Sequence, residues 1–129
     1  MTSWLNVTAI ATGGALGAVC RYLVTILAMA IPGGSTMLGT TVANVMGCLL
    51  LGGFAQYSLI EGNLSPQLAL ACRVGFLGSL TTFSTFVAES TVLAVEDRWG
   101  WAAVYVLTNL ILGWVSLVGA AELVKGYLS

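Results

Sequence analysis

Charged residues are rare in this chain, which excludes an ordinary soluble domain. They make up 7% of the 129 residues, whereas soluble domains carry about 25%. No charge occurs at positions 22–60 or 99–121. A membrane-spanning helix needs about 20 consecutive apolar residues, so each of these stretches is long enough to hold one. The sequence therefore predicts an integral membrane protein.

The chain also lacks histidine, and its cysteines are few. Without an imidazole, the commonest base and metal ligand is missing. Cys20, Cys48 and Cys72 lie in apolar segments, where we expect small buried side chains rather than a disulfide or a metal site. No nucleophile–base pair is visible, so we expect no enzyme activity. With only four basic residues, nucleic acid is not an expected partner.

Apolar residues are abundant instead and divide the chain into four predicted spans. They lie at about 4–31, 36–60, 66–95 and 99–127, separated by short loops that contain both prolines and several charges. The expected fold is a single all-α domain of four transmembrane helices, surrounded by lipid. Gly13 and Gly17 are four residues apart, a spacing that lets a neighbouring helix approach closely.

The third span contains the most unusual segment. Residues 75–86 read GFLGSLTTFSTF, with two glycines and five hydroxyl residues in an apolar setting. Such a composition weakens a helix, and exposed backbone at membrane depth is tolerated only inside protein or beside water. We therefore predict a break in the helix near Gly78. This segment is the first candidate for the part of the protein that contacts what it transports.

The basic residues give no orientation. Arg73 and Lys125 lie toward one predicted face of the membrane, and Arg21 and Arg98 toward the other. Because basic residues near span ends set topology, two readings stay open. The chain inserts both ways and forms an antiparallel dual-topology homodimer, or details other than charge fix one orientation. A bundle of four helices has little interior of its own, which favours a dimer.

Several polar side chains inside the spans have two readings each. Arg21 either reaches the membrane surface from the last turns of the first span or attracts anions to the mouth of a path. Asn44 either bonds neighbouring helices or donates to a desolvated anion. Tyr105 and Asn109 share one stripe of the fourth span and pose the same choice.

Two phenylalanines stand among the hydroxyl residues of the third span. Phe83 and Phe86 share a face if the local chain is helical, and an aromatic ring has a positive edge. Together with Ser84 and Thr85, ring edges could hold a small anion weakly enough to release it. Glu89 is either a structural residue or part of the pathway wall.

These segments resemble the Fluc (CrcB-type) fluoride channels along the whole chain. The similar segments are GGALGAVCRY at 13–22, Gly39-Thr40 with Asn44 and Gly47, and residues 75–86 with Glu89 after them. The resemblance implies an antiparallel homodimer with two pores that exports fluoride across the inner (plasma) membrane of the cell. It implies an anion pathway formed by Phe83, Phe86, Asn44, Tyr105, Asn109, Arg21, Ser84 and Thr85.

The resemblance further implies one central structural sodium ion, held by the backbone carbonyls of Gly78 and Thr81 from both subunits. Ser79 and Asn109 depart from the family pattern, in which we expect glycine and a hydroxyl residue. The alternative is a small proton-coupled multidrug transporter. That machinery needs an acidic residue deep in the first span, and no Asp or Glu precedes Glu61.

Overall fold

The computed structural model describes residues 3–128, which form an all-helical protein. Four helical runs are long and apolar enough to cross a membrane: Trp4–Ala30, Thr36–Glu61, Pro66–Val95 and Trp99–Leu128. The chain is therefore a multi-pass membrane protein. We call the first two runs α1 and α2, and the last one α6.

Short polar turns begin and end the helices. The Ser35 hydroxyl accepts a hydrogen bond from the N–H of Leu38 at the start of α2, the usual N-cap arrangement. Gly62 ends α2 with φ of 63°, a left-handed conformation that glycine adopts at little cost. Pro66 then occupies the first turn of the third run, where its missing N–H has no helical partner to lose.

The third run consists of four pieces. Helix α3 (Pro66–Leu70) continues into a π-helical segment (Ala71–Leu77), then into one α-helical turn, α4 (Gly78–Leu80), and after two extended residues into α5 (Phe83–Val95). Thr81 has ψ of 154° and Thr82 has ψ of 115°. Gly78, where we predicted the break, is itself helical with φ of −65°, and the extended residues follow it. That this interruption lies at the middle of a membrane stays a prediction.

Glycines bring two helix pairs into backbone contact. A Cβ placed on Gly13 would overlap the Ala71 carbonyl, and one on Gly17 would overlap the Phe76 carbonyl. The close approach that the glycine spacing predicts thus occurs between α1 and the π-helical segment. Helices α2 and α6 form the most extensive pair, and a Cβ on Gly52 would overlap the Leu117 carbonyl there.

The buried core of the described chain is small. It centres on Phe86, Leu93, Ala102 and Tyr105, between α5 and α6. Most other large apolar side chains of the described residues are exposed on the single chain, for example Leu59 at 78% and Leu123 at 76%. Such an apolar exterior suits contact with lipid or with another subunit rather than with water.

Candidate functional site

The site begins where the third run is interrupted, and Asn44 of α2 reaches it. The Thr82 N–H donates to Asn44 Oδ1 at 2.8 Å, and Asn44 Nδ2 donates to the Thr82 carbonyl at 3.3 Å. One carboxamide thus satisfies both backbone polar groups of an extended residue. Buried backbone groups need such partners, and Thr82 is 8% exposed.

Asn109 of α6 extends the polar contacts. Its Oδ1 accepts from Asn44 Nδ2 at 3.2 Å, and its Nδ2 donates to Thr41 Oγ1 at 3.0 Å and to the Tyr105 carbonyl at 3.1 Å. Both N–H groups of Asn44 are therefore hydrogen-bonded within the chain. Donation from Asn44 to an anion requires that one of these bonds opens.

Tyr105 and Glu89 continue the row away from the interruption. The Tyr105 hydroxyl donates to Glu89 Oε2 at 2.6 Å. Tyr105 is 9% exposed, and Glu89 is half-buried. We call the set Thr82, Asn44, Asn109, Tyr105 and Glu89 the polar row.

An aromatic row runs beside it. The ring centroids of Phe83 and Phe86 are 5.7 Å apart, and those of Phe86 and Tyr105 are also 5.7 Å apart, with tilted planes in both pairs. Phe86 is 6% exposed in the single chain, whereas Phe83 is 75% exposed. The inner ring is packed in the core, and the outer ring stands at the surface, where its edge is accessible.

Side-chain bonds at the start of α5 release two backbone carbonyls. In a continuous helix, the N–H groups of Thr82 and Thr85 would bond the carbonyls of Gly78 and Thr81. Here the Thr82 N–H bonds Asn44, and the Thr85 N–H bonds Thr82 Oγ1 at 3.3 Å. The Gly78 and Thr81 carbonyls therefore lose their usual helical donors.

A cavity of about 300 Å³ adjoins the interruption. Among the predicted site residues, the structure places six in its lining: Asn44, Gly78, Thr81, Phe83, Phe86 and Asn109. Ser84 and Thr85 lie beside the cavity, because their hydroxyl oxygens are 3.5 Å and 2.9 Å from Thr82 Oγ1. Tyr105 and Glu89 follow along the polar row. Arg21 is half-buried on α1 and is not part of the lining.

The sequence analysis did not identify two residues of the site. Thr82 is the residue on which the contacts converge, and Thr41 accepts from Asn109. A signal existed for Thr82, since a threonine three residues before Thr85 at the start of a helix is a common N-cap pattern. For Thr41 no comparable signal existed, because its partner lies on another helix.

The departure at Ser79 is accommodated by α1. A Cβ on Gly14 would lie 3.3 Å from Ser79 Oγ. The glycine at position 14 therefore leaves the space that the hydroxymethyl group at position 79 uses.

The fold and site together describe a four-helix membrane protein with a polar row that starts at an interrupted span. Comparison with known proteins agrees with that class. The family model "CrcB-like protein, Camphor Resistance (CrcB)" matches residues 8–121, and the chain belongs to this family.

Named relatives extend the match. A "Fluoride-specific ion channel FluC" of Rhodopirellula baltica is 38% identical over 146 aligned positions, covering all of both chains. One of Shewanella sp. (strain ANA-3) is 43% identical over 108 positions, covering 83% of this chain and 86% of the relative. Another, of Shewanella frigidimarina, is 41% identical over 108 positions and covers the same fractions of the two chains. These names describe ion channels, in agreement with the expectation that the chain is not an enzyme.

Proposed function

We propose that this protein is a fluoride-selective channel that exports fluoride across the inner (plasma) membrane of the cell. The observation that carries the proposal is the polar row starting at the extended residues Thr81 and Thr82. The names of the relatives supply the ion. Polar side chains inside membrane-spanning segments are rare, and they commonly mark a pathway for ions or substrates.

The aromatic row and the hydroxyl residues provide weak anion contacts in this proposal. Phe83 offers its ring edge at the protomer surface, and Phe86 lies directly behind it. Ser84 and Thr85 add hydroxyl groups close to Thr82. Partial positive charges bind a dehydrated ion without trapping it, as a full charge would. Asn44, Tyr105 and Asn109 continue the pathway, and Arg21 attracts anions toward its mouth.

The pathway is completed by a second copy in the opposite orientation. The exposed Phe83 ring and the open cavity leave the site of one protomer without a wall. Two-fold symmetry would supply that wall twice, giving an antiparallel dual-topology homodimer with two pores. The balance of Arg73 and Lys125 against Arg21 and Arg98 is compatible with insertion in both orientations.

A central sodium ion fits the backbone at the interruption. Hard cations prefer oxygen ligands, and unwound carbonyls coordinate sodium in transporters. The carbonyls of Gly78 and Thr81 have lost their helical donors, so they are available. In the dimer, each protomer would contribute this pair, and the bound charge would hold the two interrupted spans together.

Vesicle efflux tests the proposed function. Purified protein in liposomes loaded with fluoride should release it far faster than protein-free liposomes, as measured with a fluoride electrode. Matched vesicles loaded with chloride should lose little. Fluoride release at the rate of empty vesicles would refute the assignment.

The multidrug-transporter alternative lacks support from the first helix. Helix α1, from Trp4 to Ala30, contains no acidic residue. The same vesicles with an imposed proton gradient should therefore accumulate no organic cation.

A further inference from the structure

The side chain of Asn44 hydrogen-bonds the backbone of Thr82, as a neighbouring turn of helix normally does. A continuous helix would pair the Thr82 N–H with the Gly78 carbonyl. Instead, Asn44 Oδ1 accepts from the Thr82 N–H at 2.8 Å, and Asn44 Nδ2 donates to the Thr82 carbonyl at 3.3 Å. The carboxamide of α2 therefore replaces the missing bond of the N–H and adds a donor to the carbonyl, at the point where the third run is extended.

The direction of this carboxamide is fixed by its surroundings. A flipped amide would place its NH₂ group against the Thr82 N–H, two donors face to face. The second N–H of Asn44 meets Asn109 Oδ1 at 3.2 Å. Asn109 is held in turn, because its Nδ2 donates to Thr41 Oγ1, and the Thr41 hydroxyl already donates to the Met37 carbonyl at 2.9 Å.

We propose that Asn44 is a positioning residue that holds the start of α5, and that Asn109 orients it. In this role Asn44 acts on the Thr82 peptide, in addition to its place in the proposed anion pathway. The contact determines where α5 begins, and therefore where Phe83 presents its ring and where the Gly78 carbonyl is released. The link to conduction rests on the proposed function, whereas the link to Thr82 does not.

This arrangement explains why an asparagine, rather than a hydroxyl residue, is present at position 109. A carboxamide offers two N–H donors and one acceptor at a spacing that reaches α2 and the Tyr105 carbonyl together. A serine hydroxyl has one donor, so it cannot make all three contacts. The orienting role should therefore be sensitive to Asn109→Ser.

Amide hydrogen exchange in fluoride-free buffer tests the proposal without any ion in the site. The readout is the exchange rate of the Thr82 N–H in detergent-solubilised dimeric protein. We expect Asn44→Ala to accelerate it about tenfold, and Asn109→Ala and Asn109→Ser about threefold, since one hydrogen bond is lost or loosened in each. An anion ligand alone would have no effect under these conditions.

Asn6→Ala is the matched control. Asn6 Oδ1 accepts from Gln67 Nε2 at 3.2 Å, an amide pair between α1 and α3 away from the interruption. Its loss should leave the Thr82 exchange rate unchanged. Unchanged exchange in folded Asn44→Ala would overturn the proposal. If Asn44→Ala does not fold, Asn109→Ala is the deciding variant. An unchanged Thr82 exchange rate in that variant would also overturn the proposal.

Fluoride efflux, measured on the same preparations, separates this proposal from the proposed function. Wild-type protein that fails to conduct fluoride would refute the function and leave the exchange result valid. Conduction in the wild type together with faster Thr82 exchange and reduced efflux in Asn109→Ala would support both.

Discussion

The hydroxyl of Tyr105 donates a hydrogen bond of 2.6 Å to the carboxylate of Glu89, joining α6 to α5. The phenol is nearly buried, so removal of its acceptor leaves a desolvated donor without a partner. The pair therefore links the end of the polar row to the packing of α5 against α6.

A double-mutant cycle on this pair should give a coupling free energy of about 1–3 kcal/mol. Tyr105→Phe, Glu89→Ala and the double variant would be compared by the free energy of unfolding in detergent. Glu89→Gln keeps an acceptor oxygen and should lose less stability than Glu89→Ala. If the losses of unfolding free energy in the two single variants add up to the loss in the double variant, the contact contributes no stability.

Replacement of Phe83 or Phe86 by isoleucine should lower fluoride efflux. Isoleucine keeps much of the bulk but has no positive ring edge, and a loss of about 0.5–1.5 kcal/mol corresponds to about two- to tenfold in rate. Phe86→Ile should also lower the unfolding free energy, because Phe86 is buried and Phe83 is not. The measurement is electrode-detected efflux, with gel filtration to verify that each variant has the same oligomeric state as the wild type.

Phe54→Ile is the control for the phenylalanine variants. Phe54 lines an apolar groove between α2 and α6, away from the aromatic row. Its replacement should leave efflux within about twofold of wild type. Equal efflux in Phe83→Ile, Phe86→Ile and wild type would reject the ring-edge contact.

Gly17→Ala should destabilise the protein by at least about 1–3 kcal/mol. Its Cβ would overlap the Phe76 carbonyl, which belongs to backbone that cannot move independently. Gly119→Ala is matched as a glycine-to-alanine change inside α6, with no atom within 4 Å of the added carbon. That variant should be neutral or stabilised by up to about 1 kcal/mol. Equal thermal stability of the two variants would show that α1 can move away from the π-helical segment.

Reporters on the C-terminus should detect both orientations of the wild-type chain. Because the basic residues are balanced, one added lysine should bias insertion. Glu61→Lys adds charge to the face of Arg73 and Lys125, and Glu96→Lys adds it to the opposite face. The two variants should shift the reporter ratio in opposite directions. A one-sided signal from wild-type protein would contradict dual topology.

Sodium removal should reduce efflux reversibly if the Gly78 and Thr81 carbonyls hold the ion. Prolonged dialysis against a large organic cation would be followed by efflux measurements before and after sodium is restored. Backbone ligands cannot be deleted by substitution, so ion replacement is the direct approach. Full activity after verified sodium removal would contradict the structural ion.

The sequence predicted the fold class better than the details of the site. Length and hydropathy of apolar runs are sufficient for four helices, and the spacing of Gly13 and Gly17 predicted a close helix contact that occurs. The extended residues are Thr81 and Thr82 rather than Gly78, because capping by side chains, not glycine content, determines where the helix stops. The partner of Thr82 lies 38 residues away in sequence, and no local pattern specifies such a contact.

The π-helical segment, Ala71–Leu77, makes the third run intolerant of changes in length. Each residue advances an α-helix by about 100°, so deletion of one residue there would turn everything after it by roughly that angle relative to α1. The side chains of Phe83 and Phe86 would then face different neighbours, although no residue that contacts them had been altered. In evolution, this stretch should therefore exclude insertions and deletions.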